Sequence, residues 1–324
     1  MTDSNTLFPG QAREQINADR PGEVEIGAPD LSPKGEKPRS LAGDAWHDLR
    51  RNPIFIISAI IIAVLTVMAI WPSLFTSKDP SFCSLEFSRQ APSRGAIFGY
   101  DLQGCDVYAR TIYGARASIL VGVFTTIVVV IIGTLVGMLA GFYGGWSDSV
   151  LSRFTDIFFG IPLLLGAIVV LATFPSAVGT SQWETIGKVV LALGILGWTS
   201  VARIMRSTVI QVKHADYVQA ARALGGNTRR LLTRHVLPNA MAPVTVYATI
   251  ALGTFIAIEA TLSFLGIGLQ PPVISWGIAI SEAQTYIRQS PHMLLFPSAF
   301  LSVTVLAFIM LGDAVRDALD PKLR

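Results

Sequence analysis

Charged side chains are scarce in this sequence, and their scarcity excludes whole classes of protein. Asp, Glu, Lys and Arg make up 15% of the 324 residues, whereas they make up about 25% of a typical soluble domain. A soluble globule of this length could not cover its surface with so few charges. The composition therefore excludes a water-soluble enzyme and a nucleic-acid-binding protein.

Several motifs that carry chemistry are also missing. The sequence has no G-x4-G-K-[ST] phosphate loop, so the chain cannot itself supply ATP hydrolysis. It has no G-x-S-x-G motif, which argues against an intramembrane enzyme, the competing class. No charge cluster within its apolar runs could form the ring of a passive channel. Four histidines lack metal-ligand spacing: His47, His214, His235 and His292. We predict no catalytic residue, no metal site and no cofactor bound by this chain.

The sequence is rich in long apolar runs. Hydrophobic residues make up 51% of the chain, and a helix needs about 20 apolar residues to cross a bilayer. Two apolar runs are marginal. The run between Lys188 and Arg203 has only 14 uncharged residues, which is short for a span, and the run that begins at Val236 ends at Glu259, an acid within apolar sequence. Four charge-free runs are long enough: 53–77, 117–147, 157–183 and 293–312.

These runs predict an all-α polytopic membrane protein, because a helix satisfies its own backbone hydrogen bonds in lipid. Residues 1–45 hold several prolines and mixed charges, and we predict that they form a disordered cytoplasmic tail before a transmembrane domain at 46–324. The first apolar run is too long for a signal peptide and is expected to be retained as a span. Six spans are expected, at about 54–74, 118–142, 157–175, 187–205, 241–262 and 293–312.

Lysine and arginine are unevenly divided between the two sides of the predicted bundle. The side that holds both tails and the second and fourth loops carries 18 of them, and the other side carries 7. Cytoplasmic loops are enriched in these residues. The distribution therefore predicts a multi-pass protein of the cytoplasmic membrane with both termini in the cytoplasm.

The two cysteines, Cys83 and Cys105, both fall in the first outward-facing loop. Disulfides form and persist in oxidising compartments outside the cytoplasm. Two outcomes are open for this loop: a disulfide that closes it, or two free thiols in a loop that folds without one.

The fourth loop, residues 203–240, is strongly basic, with seven Lys and Arg against Asp216 alone. Taken by itself, this charge is what the positive-inside rule gives to any cytoplasmic loop. The charge therefore indicates orientation and does not by itself indicate a binding site.

The local pattern within this loop predicts two short helices. Asp216 is expected to cap a helix over 217–224, and the glycines at 225–226 are expected to end it in left-handed geometry. A second helix is predicted to begin at Asn227 or Thr228, to run to about Val236 and to stop at Pro238. We call residues 216–238 the glycine hairpin and expect it to project from the membrane.

The glycine hairpin resembles the EAA motif of ATP-binding-cassette importer permeases, E-A-A-x3-G-x9-I-x-L-P. Five positions match it: Ala220, Ala221, Gly225, Leu237 and Pro238. Gln219 replaces the acid of the motif and His235 replaces its isoleucine. In that family this loop inserts a short helix into a groove of the ATPase subunit. The resemblance implies that the ATPase-coupling residues are Tyr217, Gln219, Ala220, Ala221, Leu224, Gly225, His235, Leu237 and Pro238.

Three more stretches extend the resemblance over roughly residues 45–324. They are FGYDLQGCDVYARTIYGARASILVG at 98–122, EATLSFLGIG at 259–268 with Ser275-Trp276-Gly277, and LGDAVRDALDPKLR at 311–324. The first departs from the family pattern, with Tyr100 and Cys105 in place of Thr and Arg. The chain is similar to the C-type permease of the dipeptide, oligopeptide and nickel importers.

This resemblance implies a transport mechanism, a class of solute and a set of partner proteins. Its relatives move a solute by alternating access, so this chain is expected to translocate di- or oligopeptides, with nickel or glutathione-like solutes as the alternatives. The implied partners are two cytoplasmic ATPases that hold ATP and Mg, a second permease (a B-type chain or another copy of this one), an external substrate-binding protein and membrane lipid.

Two features inside the spans invite more than one interpretation. Gly133, Gly137 and Gly141 lie on one helix face, which indicates close packing within this chain or, less favoured, at a subunit interface.

Glu259 is an acid deep in an apolar run. It could line the solute path and meet a peptide amino terminus. The favoured alternative places it near a helix end, bonded to backbone donors of residues 260–268.

Overall fold

The structure is a computed structural model that describes residues 41–175 and 180–319. The described ranges are helical and contain no β-strand. The tail predicted at 1–45 lies outside them except for its last five residues, which begin the first helix. The helices are α1 (Leu41–Leu49), α2 (Pro53–Ile70), α3 (Val107–Tyr143), α4 (Gly145–Phe159), α5 (Leu163–Thr173), α6 (Gln182–Val212), α7 (Asp216–Ala223), α8 (Thr228–Arg230), α9 (Leu237–Phe264), α10 (Trp276–Ala283) and α11 (His292–Leu319).

Five helices of the described ranges are long and apolar enough to cross a membrane. They are α2, α3, α6, the continuous helix at 228–264 that contains α9, and α11. The pair α4 and α5 also meets the test when both are taken together. The prediction of a mostly helical, polytopic membrane protein is confirmed.

The helices are longer than the spans predicted from charge-free runs. α3 begins at Val107, whereas the span was expected from 118, and α6 covers 182–212 rather than 187–205. Charge-free runs measure only the stretch that suits hydrocarbon, while a helix continues into water past charged residues such as Arg110. Asp106 starts α3, because its Oδ1 accepts a hydrogen bond from the N–H of Ala109 at 2.9 Å.

The third span differs from its prediction. We expected one helix over 157–175, but the chain bends by 79° between α4 and α5. Pro162 immediately precedes α5, and a proline in a helix interior removes one backbone hydrogen bond and clashes with the preceding turn. The prediction of one continuous helix here was therefore wrong, and the two helices meet the length and apolarity test for a span only when they are taken together.

The glycine face of α3 packs against α6. A Cβ atom at Gly137 would overlap the carbonyl oxygen of Ala202, and one at Gly141 would lie 2.8 Å from the carbonyl oxygen of Arg206. Only glycine permits this approach. The favoured prediction, packing within the chain, is confirmed. Residue numbers rise together along the contact, from Gly133 beside Val201 to Gly141 beside Arg206, so α3 and α6 run parallel.

Candidate functional site

The first arm of the glycine hairpin is α7, which is anchored by one side chain. Val218 is fully buried and packs in a core cluster with Met205 and Val209 of α6 and with Leu231 and Val236. Burying a valine stabilises a fold by about 1.5–3 kcal/mol. α7 is therefore fixed on α6 and does not hang as a free loop.

The start of α7 differs in detail from the prediction. Ala215 occupies the N-cap position, and Asp216 is the first helical residue, with no side-chain cap hydrogen bond. A carboxylate in the first turn still interacts favourably with the positive end of the helix dipole. The acid was therefore placed correctly near the helix start, but its role as the cap was wrong.

α7 presents an unpaired face to solvent. Tyr217, Ala220 and Leu224 are all exposed, and their spacing of three and four residues places them on one side of the helix. Leu224 is 90% exposed and Tyr217 is 46% exposed. A large apolar side chain exposed to this extent beside an exposed aromatic ring is typical of an interaction surface.

The turn after α7 has the geometry predicted for it at Gly225. This residue has φ of +80° with open space around it, so it is the backbone conformation, rather than lack of room, that requires glycine. The N–H of Gly225 donates to Arg222 O and that of Gly226 donates to Ala221 O, each at 3.0 Å. These two bonds form a Schellman motif, which ends α7 sharply.

The second arm begins as predicted but does not end as predicted. Asn227 caps it, because Oδ1 accepts from the N–H of Arg230 at 2.9 Å. Pro238 was expected to stop the helix. Instead a π-helical turn, Leu231–Val236, leads directly into α9. The wider turn accommodates the proline, which cannot donate a backbone hydrogen bond. The second arm is therefore the first part of a membrane-spanning helix.

One of the two departures from the EAA motif, Gln219, has a local role in the structure. Gln219 Nε2 donates to the carbonyl of Lys213 at 2.9 Å, just beyond the end of α6, and a carboxylate at this position could not donate. Lys213 Nζ donates in turn to the carbonyl of Gly141 at 2.7 Å. His235 is half-buried, and its backbone carbonyl accepts from Asn239. Gln219 therefore helps to hold α7 on the end of α6.

Ion pairs that the sequence did not reveal join α6 to the bent span. Arg206 donates to both carboxylate oxygens of Asp148 in α4, at 2.5 and 2.7 Å. Arg203 donates to Asp156 at 2.8 Å and lies 3.6 Å from the ring centre of Phe159. Bidentate arginine pairs fix geometry more firmly than single contacts do. The helix that leads into the glycine hairpin, α6, is thus tied to α4 of the bent pair.

The loop between α2 and α3 lies at the opposite end of α3 from its contact with Lys213. Cys83 and Cys105 form a disulfide, with a Cα–Cα distance of 4.1 Å. Asp101 accepts from the N–H of Cys105 and from Arg110 Nη1, both at 2.8 Å. Arg110 also lies 3.7 Å from Glu282. Burial raises the pKa of Glu282, although the charge of Arg110 lowers it in part.

Glu259 is buried within the described part of the protein. Its side chain is 0% exposed, and Oε1 accepts from the hydroxyl of Ser263 at 2.8 Å. That hydroxyl accepts in turn from the N–H of Leu269 at 2.9 Å. We expected backbone N–H groups to donate directly to the Glu259 carboxylate. Instead the Ser263 hydroxyl links the carboxylate to the N–H of Leu269. Oε2 has no partner among the described residues, and Ser118 on α3 has an unpartnered buried hydroxyl.

Within 41–175 and 180–319, no group of three His, Cys, Asp or Glu side chains lies close enough to hold a metal ion. The exposed face of α7 therefore offers a packing surface rather than a chemical centre. This face is exposed to contact with another molecule, and α7 itself packs on α6 through Val218.

Two family models match this chain. Residues 133–324 match the family described as binding-protein-dependent transport system inner membrane component. Residues 40–92 match the N-terminal TM domain of oligopeptide transport permease C. A solved structure, described as the crystal structure of an amino acid ABC transporter with histidines, aligns with 63% of this chain and 91% of its own, at a TM-score of 0.48 and 18% identity.

Several curated proteins are similar along most of their length. The oligopeptide transport system permease protein OppC of Bacillus subtilis (strain 168) is 37% identical over 92% of this chain and 95% of its own. The dipeptide transport system permease protein DppC of the same strain is 36% identical over 88% of this chain and 87% of its own.

The glutathione transport system permease protein GsiD of Pectobacterium atrosepticum is 34% identical over 86% of this chain and 90% of its own. These relatives are permease subunits by name, which are not themselves enzymes. The chain therefore belongs to the binding-protein-dependent transport system inner membrane component family, as a multi-pass inner-membrane permease of an ABC importer in the group that contains OppC and DppC.

Proposed function

We propose that this chain translocates di- or oligopeptides by alternating access, driven by partner ATPases that grip the glycine hairpin. One observation carries the proposal: Leu224, Tyr217 and Ala220 form an exposed face on a helix whose opposite side is buried through Val218. Such a helix can be held by a partner from one side and can push on the membrane helices from the other.

The proposed lever is rigid along its whole length. α7 is fixed on α6 by Val218 and Gln219, and the second arm continues into α9 without a break. The pair Arg206–Asp148 extends the connection to α4. A displacement of the hairpin when the ATPases close is therefore expected to tilt α6 and α9 together.

We propose six spans with both termini in the cytoplasm. Because α3 and α6 run parallel, the chain must return across the bundle between them, and the bent pair α4–α5 supplies this crossing. The Lys and Arg excess on the hairpin side supports the cytoplasmic location of that side. The disulfide then lies on the opposite, oxidising side.

The proposed assembly follows from this arrangement. Two ATPase subunits, holding ATP and Mg, contact the hairpins; a second permease of the B type completes the channel; and a substrate-binding protein delivers solute to the outer end. Peptides are the favoured solute because OppC and DppC are named for them. Glutathione is a second candidate, since GsiD is 34% identical to this chain.

The proposal is tested by placing a charge on the exposed face of α7 in the reconstituted complete importer. Leu224→Asp should abolish peptide uptake and ATPase stimulation, because a carboxylate would be desolvated at the contact. Ala223→Asp is the matched control: it is exposed on the same helix, adds the same charge and lies about 100° around the helix axis from Leu224. Equal uptake by both variants and the unsubstituted importer would contradict the coupling role.

A further inference from the structure

The exposed face of α9 differs from the exposed faces of the other long helices. α2 and α3 expose large apolar side chains, for example Ile60, Ile131 and Leu135, as lipid-facing helices do. Between residues 240 and 263, α9 exposes none. Its exposed side chains there are small or carry a hydroxyl: Ala242, Pro243, Thr245, Thr254 and Thr261.

Two cavities lie along this face. One, of about 260 Å³, is bounded by the bend of the third span, the middle of α6 and α9. The other, of about 410 Å³, is bounded by α6, α9 and the end of α11, where Arg316 lies. Tyr247 and Ile250 line both cavities. We call the continuous surface lined by Phe158, Thr199, Ser200, Tyr247, Thr254 and Arg316 the α9 groove.

The α9 groove contains hydroxyls without partners. Thr199 is only 4% exposed, lines the first cavity, and has no hydrogen-bond partner in the described part of the chain. The hydroxyls of Ser200 and Tyr247 are likewise unpartnered within 41–175 and 180–319. Thr254, in contrast, donates to the carbonyl of Ile250 at 3.2 Å. A hydroxyl facing hydrocarbon without a partner is unfavourable, so this groove fits water or a polar solute better than lipid tails.

We propose that the α9 groove is the surface along which the solute passes and that it takes a peptide by its backbone. This inference rests on the proposed function and adds the site and its chemistry. A hydroxyl both donates and accepts, so Thr199, Ser200 and Tyr247 can pair with peptide N–H and C=O groups whatever the side chains are. Apolar walls such as Phe158 accommodate those side chains, and Arg316 at one end suits a peptide carboxylate.

The same lining argues against a metal ion as the solute. Among the residues that form the two cavities there is no Asp, Glu, His or Cys side chain. Transition metals such as nickel are bound by imidazole, thiolate or carboxylate groups. The hydroxyl groups and the single guanidinium of the groove cannot serve as such metal ligands. The groove therefore fits a peptide or a glutathione-like peptide and not bare nickel.

Thiol labelling of the complete importer tests the proposal. The two native cysteines are joined in the disulfide, so a single new cysteine gives an unambiguous signal. Ser200→Cys and Thr254→Cys would be treated with a water-soluble, membrane-impermeant methanethiosulfonate reagent in open membrane fragments. Ile131→Cys is the matched control, because it lies near the level of Val201 but on the exposed apolar face of α3.

The expected result is labelling of both groove cysteines, slowing of that labelling by added peptide but not by nickel, and no labelling of Ile131→Cys. Absence of labelling at Ser200→Cys and Thr254→Cys would mean that lipid or a protein partner covers the face, and would overturn the proposal. Labelling that peptide does not slow would overturn the solute contact.

A second variant measures the hydrogen bonds directly. Tyr247→Phe keeps the ring and removes the hydroxyl, so it should raise the apparent KM for peptide uptake about fivefold while leaving kcat unchanged. An unchanged KM would contradict a contact with the solute. The labelling experiment needs no ATP-driven uptake and leaves α7 unchanged, so its failure is distinguishable from failure of the coupling role, which the Leu224→Asp variant reports.

Discussion

The backbone N–H of Leu237 donates to the carbonyl of Leu232, one residue further back than an α-helical bond reaches. This wider turn comes just before Pro238, which has no N–H to donate. α8 and α9 are therefore parts of one helix from Thr228 to Phe264. A hairpin that is continuous with a membrane span can transmit force without a flexible joint.

Interrupting this helix should uncouple ATP hydrolysis from transport. Two glycines inserted between Leu237 and Pro238 would weaken the helix by about 2 kcal/mol, and we expect peptide uptake to fall about tenfold or more while the ATPase remains active. Uptake and ATP hydrolysis are measured together in vesicles. The same insertion between Arg94 and Gly95, in an exposed loop at the other end, serves as control. Normal uptake with an interrupted helix would rule out a rigid lever.

Val218 should matter for stability rather than for contact with a partner. Val218→Ala removes two buried methyl groups from the cluster shared with Met205 and Leu231, and we expect a loss of about 1–2 kcal/mol. Thermal unfolding of the purified complex measures this. Tyr217→Ala, on the exposed face of the same helix, should change the melting temperature much less. Equal shifts would mean that Val218 is not the anchor.

The contact between α3 and α6 should tolerate no side chain at Gly137. Gly137→Ala would overlap the carbonyl oxygen of Ala202 and force the two helices apart, so we expect little folded protein in the membrane. Gly187→Ala in α6 is the matched control, because its Cβ would meet nothing within 4 Å. That variant should be as stable as the parent or slightly more so. Normal expression of Gly137→Ala would contradict the packing.

Glu259 should have a structural role that an amide can fill. Glu259→Gln keeps an oxygen to accept from Ser263, so assembly and uptake should be retained. Glu259→Leu leaves the hydroxyl of Ser263 buried without this acceptor, and should destabilise the complex by about 1–3 kcal/mol. Size-exclusion chromatography after graded heating distinguishes the two variants. Loss of uptake in a stable Glu259→Gln complex would return this residue to the solute path.

The sequence predicted which segments form long apolar helices better than it predicted the shape of those helices. The run between Lys188 and Arg203 was the weakest candidate, yet it lies in α6, where 67% of the most apolar stretch is buried. A helix enclosed by protein needs less apolar character than one facing lipid, so hydropathy underrates it. The third charge-free run was among the clearest candidates for a span. It nevertheless contains the bend next to Pro162, because composition carries no information about helix bending.

The hairpin was recognisable because its geometry depends on local signals. Asn227 as a cap and Gly225 at positive φ can each be inferred from neighbouring residues. The pair Arg206–Asp148 joins positions 58 residues apart and leaves no local pattern. The unpartnered hydroxyl of Thr199 likewise depends on which helices meet there, which only the folded structure specifies.

The most direct test of the central claim uses the side chain that the hairpin exposes most. A photoactivated crosslinker attached to Leu224→Cys, the single free thiol in that variant, would be irradiated in the complete importer with and without ATP. We predict a crosslink to the ATPase subunit whose yield changes with nucleotide. A crosslink to the external binding protein, or labelling of this cysteine by an impermeant reagent added outside intact cells, would contradict the account.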